Sequence, residues 1–324
     1  MSKKELGQYF TVSNPFTLKP FTDWLHSIPS YESLKYIEPF AGENNIPNMI
    51  DGSVAKDLDW SCFDIEPKPT NRYSKAQIQK RDTVLDFPKG YDVAITNPPY
   101  LAKNSAKRLK LAFPDTKYDD IYKQCLDTML ANVGYVAAII PETYIISGLF
   151  HKRLNSVISL TCRMFDDTEC PVCLAMFNKD ESDDFTIYRL DELVGTYSEI
   201  INTLPRPHSR INWKFNDKAG EVGIVCIDDS VKPSIRFVKG ETIDPKSIKD
   251  TSRSITRLSG LPEDIQLDGF LDRCNVILGK YRDSTKDVLM ASFKGLREDS
   301  YYRRRLDFKT ARLIMNQCID DLRQ

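Results

Sequence analysis

One short stretch, residues 91–100, combines an apolar run with two consecutive prolines and constrains the fold more than any other part of the chain. Its first six residues are mostly apolar and β-branched, which predicts a short buried strand. Pro98 and Pro99 cannot donate to a sheet ladder, so the strand must end before them. The amide of Asn97 and the ring of Tyr100 are therefore held at the carboxyl end of a strand, where open α/β sheets keep their ligand sites.

The groups at this strand end suit one demanding reaction, attack by the exocyclic amine of adenine. That amine is a poor nucleophile because its lone pair is delocalised into the ring. Two acceptors aimed at its N–H groups would favour the attacking state. The side-chain oxygen of Asn97 and the carbonyl of Pro98 could be these acceptors, and the fixed φ of proline would preorganise the carbonyl. Tyr100 offers a flat face on which an extruded base can stack.

Two acidic residues occupy the ends of earlier predicted strands. Residues 36–43 form an apolar strand that runs into a turn of small residues, where Gly42 lets the backbone approach a ligand closely. Glu38, at the end of this strand, can meet a positively charged amino group. A second strand ends at Asp64, 26 residues after Glu38, where a Rossmann-like fold places its acceptor for ribose hydroxyls.

Together these stretches resemble the motif set of the gamma group of DNA adenine-N6 methyltransferases. Asn97-Pro98-Pro99-Tyr100 is similar to the N-P-P-Y signature of that family. Glu38-Pro39-Phe40-Ala41-Gly42 resembles its first cofactor motif, with Asn44 in place of the usual second glycine. Gly7-Gln8-Tyr9-Phe10-Thr11 resembles its N-terminal motif, which closes over the methionine end of the cofactor. The resemblance covers about residues 5–180 and implies S-adenosylmethionine as the cofactor.

The resemblance also implies a role for each matching residue. Thr11 would reach the cofactor carboxylate, Glu38 its amino group, and Asp64 its ribose hydroxyls. Asp82 would accept a proton from the adenine amino group, although Asp86 in the same loop is an alternative. The implied cofactor-binding set is Tyr9, Thr11, Glu38, Phe40, Gly42, Asp64, Ile65, Asp82 and Asn97. The implied catalytic set is Asn97, Pro98 and Tyr100. In the implied mechanism the adenine amine attacks the sulfonium methyl group directly and displaces S-adenosylhomocysteine, so no metal is needed.

The alternation of predicted strands and helices indicates a mostly parallel sheet with helices on both faces. Helices are predicted over residues 119–132, 152–158, 270–282 and 306–322. The resemblance adds the strand order 3-2-1-4-5-7-6, with the last strand antiparallel. We therefore expect an α/β fold with a Rossmann-like class I methyltransferase sheet. Its catalytic domain would span residues 1–204, and a smaller C-terminal α+β target-recognition module would span residues 205–324.

The second half of the chain is more basic than the first. Residues 205–324 hold 23 Lys and Arg against 18 Asp and Glu, a net charge of +5, whereas residues 1–204 hold 22 against 28, a net charge of −6. This difference is compatible with nucleic-acid contact by the second half. The candidate contacts in this half are Arg253, Arg257 and Arg303. In the first half, residues 101–116 are predicted to form a loop that lines the substrate side, with Lys103, Lys107 and Arg108 as candidate phosphate contacts. A solvated basic loop for residues 101–116, and a helix flank tethered by charge around Arg303, are alternatives of similar weight.

Cysteine usage and hydropathy indicate the compartment. The eight cysteines are scattered, which argues for reduced thiols rather than a disulfide framework. Cys170 and Cys173 have metal-like spacing, but small residues at a strand start explain them better. No apolar run approaches the ~18 residues of a membrane span, and no signal core follows the first residues. The expected setting is the cytoplasm of a prokaryotic or phage-infected cell, with no membrane partner.

The predicted function is site-specific methylation of adenine N6 in double-stranded DNA, with the target base rotated out of the helix. A cognate restriction endonuclease is a candidate partner. One alternative is the same chemistry on adenine in RNA or on protein glutamine, although the glutamine enzymes carry a helical domain before the cofactor motif. The other alternative is a non-catalytic nucleic-acid-binding relative. The presence of Glu38, Asp64 and the complete Asn97-Pro98-Pro99-Tyr100 motif argues against this alternative.

Overall fold

A computed structural model describes residues 13–160, 164 and 170–324 of the 324-residue chain. The chain divides into two compact units, Met1–Thr196 and Tyr197–Gln324. The first is built on one large sheet, and the second combines two small sheets with helices. The functional division expected at residues 204 and 205 remains a prediction.

Nine strands of the first unit form one sheet in the order β3-β2-β1-β4-β5-β7-β6-β8-β9. Strands β1 to β5 run parallel to their neighbours in this group, whereas β7 lies antiparallel between β5 and β6. The predicted order of the first seven strands and the predicted α/β fold class are thus confirmed, and β8 and β9 extend the sheet further. The strands are β1 Lys35–Glu38, β2 Asp59–Asp64, β3 Ile78–Lys80, β4 Val93–Thr96, β5 Tyr135–Pro141, β6 Leu154–Leu160, β7 Val172–Phe177, β8 Thr186–Arg189 and β9 Glu192–Thr196.

Four α-helices accompany this sheet among the residues described. They are α1 Lys19–Ser27, α2 Asn45–Ser53, α3 Lys103–Leu109 and α4 Ile121–Asn132. Asn14 caps a 3-10 turn that leads into α1. Its side chain accepts a hydrogen bond from the N–H of Phe16 at 3.0 Å at the start of this turn. Residues 101–116, expected to be a loop, contain α3, so that expectation was only partly right.

The centre of the sheet is covered on both faces. Every residue of β4 and β7 is buried, and so are all but the terminal residues of β5. Strands buried on both faces read as continuous apolar runs, which is why the short run before Asn97 could be recognised. Because β1 to β5 are parallel, their carboxyl ends meet at one edge of the sheet, where the predicted acids and the N-P-P-Y segment begin.

The predicted helix over residues 152–158 is wrong. This segment lies largely within β6, which pairs antiparallel with β7 and parallel with β8. A short apolar run has no decisive periodicity, so pairing between distant strands decides its conformation. Arg153 fixes the entry to β6, because its guanidinium donates to backbone carbonyls at the end of α4 and the end of β7, those of Leu130, Gly134 and Asn178.

The second unit is α+β. A four-stranded antiparallel sheet in the order β10-β13-β11-β12 and the hairpin β14-β15 accompany the long helices α6 and α7. These two helices pack against each other, and α6 also packs against β12. The elements are α5 Tyr197–Asn202, β10 Lys214–Phe215, β11 Val222–Val225, β12 Arg236–Lys239, β13 Ile255–Ser259, α6 Leu267–Thr285, β14 Ala291–Leu296, β15 Tyr302–Arg305 and α7 Phe308–Leu322. No helix in the described parts of the chain is long and apolar enough to cross a bilayer.

Candidate active site

Glu38 lies at the end of β1 and is 1% exposed. Its Oε1 accepts from the backbone N–H of Phe40 at 3.0 Å and from the hydroxyl of Thr96 at the end of β4. Its Oε2 is buried and has no hydrogen-bond partner among the described residues. Burial raises the pKa of Glu38 to about 8, because the charged form loses its hydration. The site therefore holds a buried carboxyl group whose second oxygen can accept from a donor that the described part of the chain does not supply.

The turn after β1 has left-handed backbone at two positions, Gly42 with φ 55° and Asn44 with φ 60°. Asparagine adopts this conformation more readily than most residues, so the replacement of the expected second glycine is tolerated. The side-chain amide of Asn44 also donates to Asn71 at 2.9 Å and to the carbonyl of Ala76 at 3.2 Å. A glycine could not make these bonds, which tie the turn to the segment between β2 and β3.

Asp64 ends β2 beside this turn and is 2% exposed. Its Oδ2 accepts from the N–H of Gly42 at 2.9 Å, and its Oδ1 accepts from the N–H of Glu66 at 2.8 Å. A carboxylate oxygen accepts two hydrogen bonds, so each oxygen retains capacity for a hydroxyl donor. Ile65 is 45% exposed, an apolar side chain open to solvent directly after the acid. The roles of Asp64 in ribose binding and of Ile65 in adenine packing remain predictions.

The two acids predicted as alternatives for binding the cofactor adenine lie in the loop after β3 and make different contacts. The carboxylate of Asp86 pairs with Arg81 at 2.8 Å and points into solvent. Asp82 instead folds back, its Oδ1 accepting from the backbone N–H of Val84 at 3.1 Å. The neighbouring Thr83 hydroxyl is buried and donates to the carbonyl of Pro39 at 2.8 Å, which fastens this loop to the turn after β1. The role of Asp82 in binding the cofactor adenine, with Asp86 as the alternative, remains a prediction.

Asn97 follows the last residue of β4 and is partly exposed, whereas Tyr100 is 8% exposed. The Tyr100 hydroxyl lies 2.5 Å from Oδ1 of Asn97 and 2.6 Å from the carbonyl oxygen of Ile139 in β5. Burial raises the pKa of Tyr100, so this hydroxyl keeps its proton and can orient the amide. The ring meets Tyr122 edge to face at 6.3 Å. Stacking of a base on Tyr100 remains a prediction, since little of the ring is open to solvent.

The chain after Tyr100 is fastened to the start of α4. The side chain of Asp120 accepts a hydrogen bond from the backbone N–H of Leu101 at 3.1 Å. The backbone of Asp120 forms an isolated β-bridge with Ala102. Sequence reasoning did not find Asp120, nor the contact of Thr96 with Glu38. Thr96 carried a signal that could have been used, a hydroxyl in a buried apolar strand that must find a partner.

The predicted nucleic-acid contacts have different surroundings. Lys103, the first residue of α3, and Arg253 are exposed. Arg257 donates to the carbonyl of Gly220 at 3.0 Å, and Arg303 donates to the carbonyl of Asp228 at 2.7 Å. These bonds give the last two arginines structural roles in the second unit, while their contact with nucleic acid remains a prediction. The predicted cofactor contacts Tyr9 and Thr11 lie outside the described residues.

The other predicted site residues and the two cysteines with metal-like spacing differ in their exposure to solvent. Phe40 is partly exposed in the turn after β1, and Pro98 is buried. Cys173 is fully buried in β7, as a small core residue would be, and Cys170 is partly exposed. Within residues 13–160, 164 and 170–324, no three side chains of His, Cys, Asp or Glu are grouped so that they could hold a metal ion.

No protein-family model and no curated protein sequence matches the chain. Several solved structures are similar to part of the chain, among them the following three. The type I restriction enzyme EcoKI M protein is 15% identical, with a TM-score of 0.42 over 87% of this chain and 72% of its own. A type I restriction-modification methyltransferase subunit from Streptococcus thermophilus is 14% identical, with a TM-score of 0.40 over 60% of this chain and 52% of its own. A class I S-adenosylmethionine-dependent methyltransferase from Listeria monocytogenes is 12% identical, with a TM-score of 0.38 over 56% and 68%.

This chain thus spans about half the length of the Streptococcus thermophilus subunit. Likenesses at these identities and TM-scores do not identify the substrate or the activity of this chain. Its fold is established by the strand order and strand directions of the sheet itself.

Proposed function

We propose that this chain is an S-adenosylmethionine-dependent DNA methyltransferase that modifies N6 of adenine in double-stranded DNA, and that a restriction endonuclease is its candidate partner. The hydrogen bond between Thr96 and Glu38 carries this proposal. It joins the acid at the end of β1 to the residue directly before Asn97. A group held by Glu38 and an amine held by Asn97 would therefore be neighbours, as a methyl transfer between two bound molecules requires.

The residues present fit the cofactor. The buried Oε2 of Glu38 calls for a donor, and a cationic amino group would supply both hydrogen bonds and charge. The spare acceptor capacity of Asp64 suits ribose hydroxyls, and the exposed Ile65 suits the face of an adenine ring. When bound, S-adenosylmethionine supplies a methyl group activated by a positively charged sulfur.

The catalytic work of the chain is to hold and polarise the accepting amine. The side-chain oxygen of Asn97 and the carbonyl of Pro98 would accept hydrogen bonds from the two N–H groups of this amine. The hydroxyl of Tyr100 would hold the Asn97 amide in place. Bringing two substrates together in the reactive orientation can itself lower a barrier by ~7–11 kcal/mol. Adenine N6 is paired within a duplex, so the base must leave the stack to reach these groups.

A tritium-transfer assay tests the proposed function. Purified protein and labelled S-adenosylmethionine are incubated with unmethylated genomic DNA, total RNA or a protein extract, and labelled products are identified as nucleosides or amino acids. We expect N6-methyladenine in DNA. Label in RNA or protein alone would show that the substrate is wrong, and bound cofactor without any transfer would favour a non-catalytic relative.

Cofactor binding should release a proton from Glu38. With a pKa of about 8 this carboxyl is mostly neutral at pH 7, whereas a bound ammonium group needs its anion. Affinity should therefore rise about tenfold per pH unit between pH 6 and 7, level off near pH 8 and fall above it, where an α-amino group loses its own charge. Calorimetry in two buffers of different ionisation enthalpy should detect the release of close to one proton at pH 7.

Glu38→Gln removes this titration and should bind the cofactor weakly, with a flat pH dependence below pH 7.5. Glu43→Gln, an acid in the same turn that pairs with Arg72 at 2.9 Å, is the matched control and should keep the wild-type slope. In the ligand-free protein, pH affects folding in the direction opposite to its effect on cofactor affinity. Because the pKa of Glu38 is raised in the folded state, the contribution of this group to the free energy of unfolding falls as pH rises towards 8. A Glu38→Gln protein with an unchanged pH slope would contradict the assignment.

A further inference from the structure

Residues 103–119 form an excursion whose two ends are fastened beside the N-P-P-Y segment. The bridge between Ala102 and Asp120 closes it, and the N–H of Lys103 donates to the carbonyl of Asp119 at 2.8 Å. Lys103 follows Tyr100 by three residues, a separation of at most about 11 Å along an extended chain. The excursion therefore starts close to the place where the target base would be held.

This excursion is strongly basic in an acidic part of the chain. It contains five Lys and Arg against two Asp, a net charge of +3, whereas residues 1–204 as a whole carry −6. Four of the cations belong to α3 or to the residue that ends it, and all four are exposed: Lys103, Lys107, Arg108 and Lys110. None of the four forms an ion pair with any residue that the structure describes, whereas Lys117 pairs with Asp127 at 3.4 Å.

The placement of Lys103 does not serve the stability of α3. The first turn of the helix holds no acid, and Lys103 lies at the positive end of the helix dipole. Lys103 and Lys107 are four residues apart on one face, where like charges repel. Lys107 and Arg108 are favourable in the last turn, but the helix would be more stable with fewer cations. Selection for function can retain such a cost in stability.

We propose that these four side chains, called here the α3 cations, bind phosphate groups of the DNA strand next to the target adenine. This inference rests on the proposed function, because it assumes that the base bound at Asn97 belongs to DNA. A duplex carries one negative charge per about 1.7 Å of its axis, so a cluster of unpaired cations within reach of the base meets several phosphates. Such contacts hold the duplex in place and carry no sequence information.

The test combines a variant with all four α3 cations replaced by alanine and a matched control. The control replaces four exposed lysines near the opposite, amino-terminal edge of the sheet by alanine: Lys35, Lys56, Lys89 and Lys179. Both variants lose the same charge. Binding of a fluorescent duplex is measured by anisotropy at several NaCl concentrations, together with methyl transfer, cofactor affinity and the thermal midpoint of the free protein.

We expect the slope of log affinity against log salt to become shallower by about 3 to 4 in the α3 variant, about 0.9 for each phosphate that the protein no longer neutralises. The control should keep most of the wild-type slope. The thermal midpoint of the α3 variant should be unchanged or higher, whereas a purely structural role would lower it. Cofactor affinity should not change.

Two results would overturn the inference in distinguishable ways. If the wild type methylates DNA but the α3 variant keeps the wild-type salt slope, the phosphates are bound elsewhere and the proposed function survives. If the wild type transfers no methyl group to DNA at any salt concentration, the proposed function fails and this inference fails with it.

Discussion

Asn97→Ala should lower kcat by about 10²- to 10³-fold while leaving cofactor affinity within a few-fold of the wild type. The expected size is that of removing one preorganised polar group that acts on the reacting atoms. Cofactor affinity is spared because the acids that would hold the cofactor lie on other strands, β1 and β2. Turnover is measured with saturating DNA and labelled S-adenosylmethionine, and affinity by calorimetry.

A graded series sharpens this prediction. Asn97→Asp keeps acceptor oxygens at the same position and should retain more turnover than the alanine variant, while Asn132→Ala, at the exposed end of α4, should behave as the wild type. Tyr100→Phe removes the hydroxyl that contacts Asn97 and should lower kcat more than it weakens DNA binding. Near wild-type turnover in Asn97→Ala would mean that the acceptor of the N6 protons is another group.

Asp228→Asn should destabilise the second unit by about 3–5 kcal/mol, the usual cost of breaking a buried ion pair by removing one partner. Asp228 is fully buried, and its two oxygens accept from the guanidinium groups of Arg282 at 2.8 and 2.9 Å and of Arg297 at 2.9 Å. It also accepts from the backbone N–H of Ser234 at 2.7 Å. A neutral amide would leave two buried guanidinium groups under-compensated and would turn an NH₂ group towards donors.

The same carboxylate gives stability a pH dependence. Burial alone would raise the pKa of Asp228, but its hydrogen bonds with Arg282 and the backbone outweigh burial and hold the pKa below its ordinary value. The contribution of this group is therefore complete above the ordinary pKa of an aspartate and is lost as pH falls through the lowered value. The Asn variant should lack this component of acid denaturation.

Hydrogen exchange of the β11 and β12 amides measures this loss of stability within the second unit. A global unfolding experiment would combine the transitions of both units and obscure it. Asp250→Asn, an exposed acid of the same unit, is the control and should change exchange little. Equal protection in the Asp228 variant and the control would show that the buried network is dispensable.

Local sequence determined the elements whose signals lie within a few residues. The prolines after β4 had to end a strand because they lack a backbone donor, and acids that follow apolar strands had to lie at the carboxyl edge of a parallel sheet. The long helices of the second unit were likewise predictable, because α6 and α7 carry an apolar stripe with helical period.

Pairing between distant segments decided what the sequence could not. Residues 154–160 became a strand because β7 and β8 offered ladder partners on both sides, and no local pattern encodes the presence of those partners. The hydrogen bond from Thr96 to Glu38 joins residues 58 positions apart, and Asp228 contacts Arg297 across 69 positions. The types of chemical group at the site could be read from short motifs, whereas their contacts depend on register and burial, which only the folded chain establishes.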